Sequence, residues 1–467
     1  MNPIAKRLLS AAAEYPSATA YRTSSRSVSY GELFGLADKI SKGLKAGGTS
    51  PVIIKSRKTP ETAACIIACI LADRAYVPVA PDIPAVRLDS VISLTGSDLM
   101  FDNGSFVPVP KSSDIQSGAF EDTAYIIFTS GSTGVPKGVP ISYDNLDNFI
   151  AWISGLSPLD SYRDAAVFNH ASFSFDLSVA AMYYAWCGGH TLVDAGTDDF
   201  FDYTGIMDIL GKASASVAVM TPTFANLCLL DRSFCAETLP ALKCIYFCGE
   251  RLTIRTVERL WTAFPDLKII NAYGPTEATS AVCAAGITLE MLTKPYLPVG
   301  TDRGNAADIS IENGEIVLRG ASVFGGYLGG DRGGHFTESV PAGPGGCAVN
   351  CYRTGDLGYI EDGYLYCTGR MDDQVKYKGY RIEPGDIENN LNRIPGVLQS
   401  AVTASRDSQG QVKSLKAFVV TEGVSADAIR KALEETLPGY MIPKIISITD
   451  KLPVNANGKT DRKALTE

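Results

Sequence analysis

Between Ile127 and Gly138 the chain reads Ile-Phe-Thr-Ser-Gly-Ser-Thr-Gly-Val-Pro-Lys-Gly, an apolar run leading into a loop of glycines and hydroxyls that ends in a lysine. Glycine lets backbone N–H groups approach anionic oxygens closely, hydroxyls add donors, and a lysine adds a point charge. Thr129, Ser130, Gly131, Ser132, Thr133, Gly134 and Lys137 therefore have the makings of a phosphate cradle, although a Ser/Gly-rich stretch taken alone also suits a solvated turn. The spacing is not that of G-x-x-x-x-G-K-[ST], which argues against a P-loop kinase or ATPase. Asp176 is a second candidate, placed just before the helix-like run Leu177-Ser178-Val179-Ala180-Ala181-Met182. Aspartate there is good capping chemistry, and a helix start is also a good place to present a carboxylate to a ligand. Both readings stay open.

The elements that must position these residues alternate between short β-branched runs and helical patterns. Residues 124–128, 216–220, 245–247 and 268–271 read as buried strands, and 256–264 as a helix with Val257, Leu260, Trp261 and Phe264 on one face. Such alternation predicts an α/β fold, with a large N-terminal domain of layered, mostly parallel sheets and helices. After about Gly300 the pattern changes to 314–318 and 363–366, strands of a smaller antiparallel, barrel-like part. Past Arg370 the signals at 374–377, 386–391, 415–420 and 426–437 predict a small, mobile α+β lobe. The expected division is 1–371 for the large domain and 372–467 for the small one. Near the N-terminus, Leu8, Leu9, Ala12 and Ala13 suit an amphipathic helix better than a secretory signal.

Bulk composition narrows the function classes. The chain has 467 residues, 45% hydrophobic and 20% charged, with a net charge of −9. That balance argues against a nucleic-acid partner, which needs a Lys/Arg surplus to neutralise phosphates. No apolar run of about 18 residues is present, so no membrane span is expected. Eleven cysteines and three histidines, His170, His190 and His335, carry no zinc-type spacing. The cysteines read as reduced buried thiols of a cytoplasmic protein.

The phosphate-type loop resembles the signature loop of the adenylate-forming superfamily, and further motifs follow in that family's order. They are Val28-Ser29-Tyr30-Gly31-Glu32-Leu33, Ala75-Tyr76-Val77-Pro78-Val79, Phe175-Asp176-Leu177-Ser178 and Asn271-Ala272-Tyr273-Gly274-Pro275-Thr276-Glu277. Later come Gly314-Glu315-Ile316, Tyr352-Arg353-Thr354-Gly355-Asp356, Gly369-Arg370-Met371-Asp372, Leu437-Pro438-Gly439-Tyr440 and Asn457-Gly458-Lys459. The resemblance spans nearly the whole chain. It implies an ATP- and Mg²⁺-dependent enzyme that joins a carboxylate to AMP. On that reading Thr276 contacts the α-phosphate, Glu277 helps hold Mg²⁺, Tyr273 stacks on adenine and Asp356 accepts from the ribose hydroxyls. Arg370 sits near ribose and phosphates, and Gly249, Glu250, Asn271, Ala272 and Gly274 belong to the nucleotide site. Lys459 bridges the substrate carboxylate and the α-phosphate, which makes Lys459, Thr276 and Glu277 the catalytic set. Asp372 is the hinge about which the small lobe turns between half-reactions.

The resemblance also places Asp176 against the α-ammonium of an amino acid, with Leu177, Ala180, Val219, Cys248, Ala272, Ser280 and Ala281 around the side chain. Within the superfamily, the wording of 173–179, Thr221-Pro222-Thr223-Phe224 and Phe247-Cys248-Gly249-Glu250 is most similar to the ligases that load D-alanine onto a carrier protein. Cys248 is either a small core residue or a wall against the α-carbon. The acceptor is expected to be a separate phosphopantetheinyl carrier protein or, second, free coenzyme A. At Leu328-Gly329-Gly330-Asp331, Arg332 stands where a carrier's serine would be. Activation of another small amino acid for natural-product assembly, and a non-catalytic nucleotide binder, are the alternatives.

Overall fold

Runs of β-branched and aromatic residues bounded by turn residues form the strands, and hydroxyl or amide caps start many of the helices. Asn2 caps the first helix, Pro3–Glu14, which buries Ile4, Ala5, Leu8 and Ala11. Leu9, expected on that face, is exposed instead. Ser29 and Glu32 form a reciprocal capping box on Tyr30–Ala46, satisfying two backbone donors at once. The helix expected at 256–264 is Ile254–Ala263, starting earlier because Thr253 Oγ1 accepts from Thr256 N. The computed structural model describes residues 1–110, 120–131, 136–195, 205–329, 336–341, 348–407, 410–453, 462 and 464–465. It divides into two units, one of residues 1–81, 95–127 and 139–371, the other of 82–94, 128–138 and 372–467.

The first unit holds an eight-stranded sheet in the order Cys283–Gly286, Lys268–Tyr273, Cys244–Phe247, Val217–Met220, Ala166–Asn169, Thr191–Asp194, Thr19–Arg22, Ser27–Ser29. The six middle strands are parallel and the two margins antiparallel. Register puts Val219 beside both Asn169 and Tyr246, and Phe247 beside Asn271. Four neighbouring strands therefore end together at Asn169, Met220, Phe247 and Tyr273. The loops that leave them carry Asp176, Thr221, Cys248–Glu250 and Gly274–Glu277. In open α/β sheets the carboxyl ends of parallel strands are where ligands bind.

A second sheet runs Ser105–Pro108, Leu99–Asp102, Val52–Lys55, Tyr76–Val79, Thr123–Thr129, Lys137–Ser142. The antiparallel part expected after Gly300 is a six-stranded sheet in which Ala348–Glu361 pairs with Glu315–Arg319, Phe336–Pro341 and Tyr364–Arg370. In the second unit a hairpin, Val375–Tyr377 with Tyr380–Ile382, precedes the helix Pro384–Leu391. A three-stranded sheet of Val397–Arg406, Val412–Thr421 and Ile445–Ile448 and the helix Ala426–Glu434 complete an α+β lobe. Its core includes Val375, Ile387, Leu391, Val402, Leu415 and Ile429. No helix among the described residues is long and apolar enough to cross a membrane.

Candidate active site

Asp176 stands at the N-cap position of Leu177–Cys187, but its backbone is already helical (φ −62°, ψ −26°) and its side chain makes no capping bond. An N-cap side chain reaches the N2 or N3 amide from extended backbone, so helical dihedrals turn this carboxylate away from them. The capping reading is thereby overturned. The Asp176 carboxylate instead accepts a 2.6 Å hydrogen bond from Thr276 Oγ1. Two residues a hundred positions apart, assigned by the resemblance to ammonium and phosphate, are in direct contact.

Thr276 opens a short 3₁₀ turn, Thr276–Ala278, after which Thr279 (φ 58°) and Ser280 (φ 70°) are both left-handed. Consecutive non-glycine residues there are strained and persist only when surrounding contacts over-determine them. Thr279 Oγ1 donates to Ser322 O at 2.8 Å and Phe324 N donates to Glu277 O at 2.9 Å, which pins both sides of the turn. Gly274 makes the turn's return possible: a Cβ there would lie 2.5 Å from Ala281 Cα.

Glu277 is fully buried, and its Oε1 accepts from Tyr327 OH at 2.5 Å. Tyr273 OH donates to Asp356 Oδ2 at 2.6 Å, while Arg370 Nη1 holds Oδ1 at 2.5 Å. Burial, and then the neighbouring Asp356 charge, push the Tyr273 phenol well above its ordinary pKa. Asp356 itself is fixed from behind, its N–H donating to Thr354 Oγ1 and the Gly355 N–H to Glu315. Each carboxylate oxygen has two lone pairs, so one donor on each still leaves room for a hydroxyl.

Leu177, Ala180, Val219, Cys248, Ala272, Ser280 and Ala281 are all buried in the first unit. Cys248 Sγ lies 3.7 Å from Ser280 O, within reach of a weak S–H donor. Asn271 Nδ2 donates to Pro298 O, Gly249 is left-handed (φ 90°), and Glu250 accepts from Thr223 N. Tyr246 was not singled out from sequence. It is fully buried, its hydroxyl has no hydrogen-bond partner among the described residues, and burial with the charges of Cys248, Cys283 and Asp176 raises its pKa well above normal. Its place in the strand Cys244–Phe247, two residues before Cys248, was the available signal. Lys58 and Asp194, also missed, form a buried ion pair of 3.2 Å.

In the second unit, Ser130 Oγ donates to Arg381 O at 2.9 Å and accepts from Glu383 N at 3.0 Å. Thr129 Oγ1 is buried with no hydrogen-bond partner among the described residues, Gly131 follows Ser130, and Lys137 begins the strand Lys137–Ser142. Asp372 Oδ1 accepts from Gln374 N. Asp386 is buried and binds Arg87 through both oxygens at 3.0 and 2.9 Å. Ser132, Thr133, Gly134 and Lys459 lie outside the described residues.

Residues 8–118 and 108–328 match the AMP-binding enzyme family, and residues 386–459 match the AMP-binding enzyme C-terminal domain. Similar proteins include the D-alanine–D-alanyl carrier protein ligase of Bacillus licheniformis, 36% identical over 97% of this chain and 96% of that protein. The ligase of the same name from Listeria welshimeri is 35% identical over 99% and 98%. Among solved structures, a nonribosomal peptide synthetase protein with adenylation and PCP domains, bound to a vinylsulfonamide inhibitor, superposes with TM-score 0.83 at 27% identity. That likeness covers 99% of this chain and 84% of the other. A Vibrio cholerae adenylation domain solved with glycyl-adenosine-5′-phosphate gives TM-score 0.85 at 22% identity, over 100% and 97%, and shares the fold. With both of these family regions matched and such relatives aligned end to end, the chain belongs to the AMP-binding enzyme family.

Proposed function

We propose that this enzyme activates D-alanine with ATP as D-alanyl-AMP, releasing pyrophosphate, and then passes the acyl group to the phosphopantetheine thiol of a separate carrier protein. The observation that carries the reading is the 2.6 Å contact between Asp176 and Thr276. It sets a carboxylate able to hold an ammonium beside a hydroxyl able to hold a phosphate, as joining an amino acid's carboxylate to the α-phosphorus requires. Names of relatives aligned over almost the whole chain support the choice of D-alanine and of a carrier protein.

In the first half-reaction a carboxylate oxygen of the amino acid bonds to the α-phosphorus, and the bond to the pyrophosphate oxygen breaks. Asp176 pairs with the substrate ammonium, whose charge offsets the desolvation of that carboxylate. Thr276 donates to the α-phosphate, and Asp356, oriented by Tyr273 and Arg370, accepts from the ribose. Lys459 supplies positive charge between the two anions as they meet. A buried carboxylate oxygen is a hard donor of the kind magnesium takes, so Glu277 fits a Mg²⁺ carried on the nucleotide's phosphates. Bound there, the ion would neutralise phosphate charge. Cys248, against the α-carbon, disfavours the L enantiomer. In the second half-reaction the thiol attacks the acyl carbon and AMP leaves, after the 372–467 lobe turns about Asp372. Ten described cysteines are free thiols, consistent with the proposed cytoplasmic setting.

The test is substrate-dependent ATP–pyrophosphate exchange over a panel of D- and L-amino acids, with acetate and benzoate as controls. D-alanine is expected to dominate, with glycine and D-serine poorly excluded, because one methylene is worth only about 1–3 kcal/mol. Exchange with a simple acid and with no amino acid would remove the role given to Asp176.

A further inference from the structure

Lys58, Asp194, Asn169 and Tyr21 are four polar residues buried in the first unit, none of which belongs to the binding set above. The Lys58 ammonium faces Asp194 Oδ1 at 3.2 Å, His170 O at 2.8 Å and Asn169 O at 3.5 Å. Three acceptors meet its three N–H donors. Asp194 in turn accepts from Tyr21 OH at 3.0 Å and from Asn169 Nδ2 at 3.0 Å. The same Asn169 amide nitrogen donates to Ala171 O at 2.9 Å. Three of these bonds end on one short stretch, the backbone carbonyls of Asn169, His170 and Ala171, where the strand Ala166–Asn169 ends and the segment leading to Asp176 begins. The other three hold the Asp194 carboxylate against the Lys58 and Asn169 side chains that make them.

The fastening continues along that segment. Ser172 Oγ lies 3.2 Å from Ser56 Oγ, two residues before Lys58, and Phe173 is fully buried. Phe175 N donates to Ser172 O and Ser178 Oγ to Phe175 O, closing the turn into the helix. Replacing a buried ion pair with apolar residues is often neutral for stability, so such a pair is better explained by the geometry it imposes. We infer that Lys58 and Asp194 are positioning residues for amino-acid recognition: by clamping the three carbonyls at 169–171 they set where Asp176 stands relative to Thr276. This rests on the proposed role of Asp176.

The paired variant Lys58→Met/Asp194→Asn removes both charges without leaving either one unpaired. In pyrophosphate exchange with D-alanine, the KM for D-alanine is expected to rise roughly tenfold, through lost orientation. The KM for ATP and kcat stay within about twofold. In an Asp176→Asn background the same pair should add nothing further to the D-alanine KM, because its effect passes through that carboxylate. A merely structural role would depress kcat, both KM values and thermal stability together, and would multiply with Asp176→Asn. Either of those results, or an unchanged D-alanine KM in a folded paired variant, overturns the inference. Should the paired variant not fold, Tyr21→Phe keeps both charges and removes one hydrogen bond. It must then raise the D-alanine KM about threefold and spare that for ATP, and no change would overturn the inference equally. Asp176→Asn read alone separates the two levels. If it leaves the D-alanine KM at the wild-type value, the reading of Asp176 fails; if it raises that KM and the clamp variants do not, only the clamp fails.

Discussion

Gly274→Ala adds one methyl group and should be among the most damaging small changes in the chain. The new Cβ would sit 2.5 Å from Ala281 Cα, 2.9 Å from Val282 N and 3.0 Å from Ala281 C, against an ordinary contact of 3.4–4 Å. All three obstacles are backbone, so no side-chain rotation relieves them. The 279–282 turn segment must retreat by about 1 Å, and overpacking of this kind costs roughly 1–3 kcal/mol. Thr279 and Ser280 already occupy left-handed backbone, so the turn has little freedom to absorb the shift and Thr276 moves with it. A displacement of about 1 Å at a positioned group can cost about 10²-fold in rate. The expected result is a loss of that order in kcat/KM for D-alanine-dependent pyrophosphate exchange, with a modest fall in Tm. Gly35→Ala is the matched control. It lies inside the helix Tyr30–Ala46 with no atom within 4 Å of the added carbon, and should stabilise by roughly 0.5–1 kcal/mol with unchanged exchange. Exchange by Gly274→Ala within about threefold of wild type would refute the packing argument.

Three further changes test other parts of the structure. Tyr273→Phe deletes the 2.6 Å bond to Asp356 Oδ2 and should raise the KM for ATP roughly tenfold while sparing that for D-alanine, read by exchange. Ser29→Ala removes the capping box of Tyr30–Ala46 and should cost about 1 kcal/mol, seen as a lower urea midpoint with normal activity. His190 is buried, with Nδ1 accepting from Ala165 N, and burial lowers its pKa from 6.5 to about 4. Between those values the unfolded chain binds the proton and the folded one does not. Its contribution, up to about 3 kcal/mol, is therefore present above pH 6.5 and lost as pH falls toward 4. Urea midpoints of wild type and His190→Gln should converge on acidification, and a gap that does not change with pH would contradict the assignment.

How much was legible in sequence follows from the range of the interactions involved. The strands at 217–220, 244–247 and 268–273 were readable because parallel strands buried on both faces are continuous apolar runs, a local signal. The helix at 254–263 was readable from one apolar face, and its start was misplaced only because Thr253 caps it. Asp176 was found, yet its local reading as a cap failed, since the deciding partner, Thr276, arrives from a hundred residues away. Tyr327 on Glu277, Arg87 on Asp386 and Lys58 on Asp194 are of the same kind. Each is a single polar side chain in an unremarkable local setting, and its meaning is created by a partner 50, 299 or 136 positions away. Motif order can identify the residues that meet a ligand, because those sit in stretches of characteristic wording. Residues that hold them in place are scattered singly through the chain. Lys58 in particular, between Arg57 and Thr59, reads as one more surface charge until the fold buries it beneath the segment that carries Asp176.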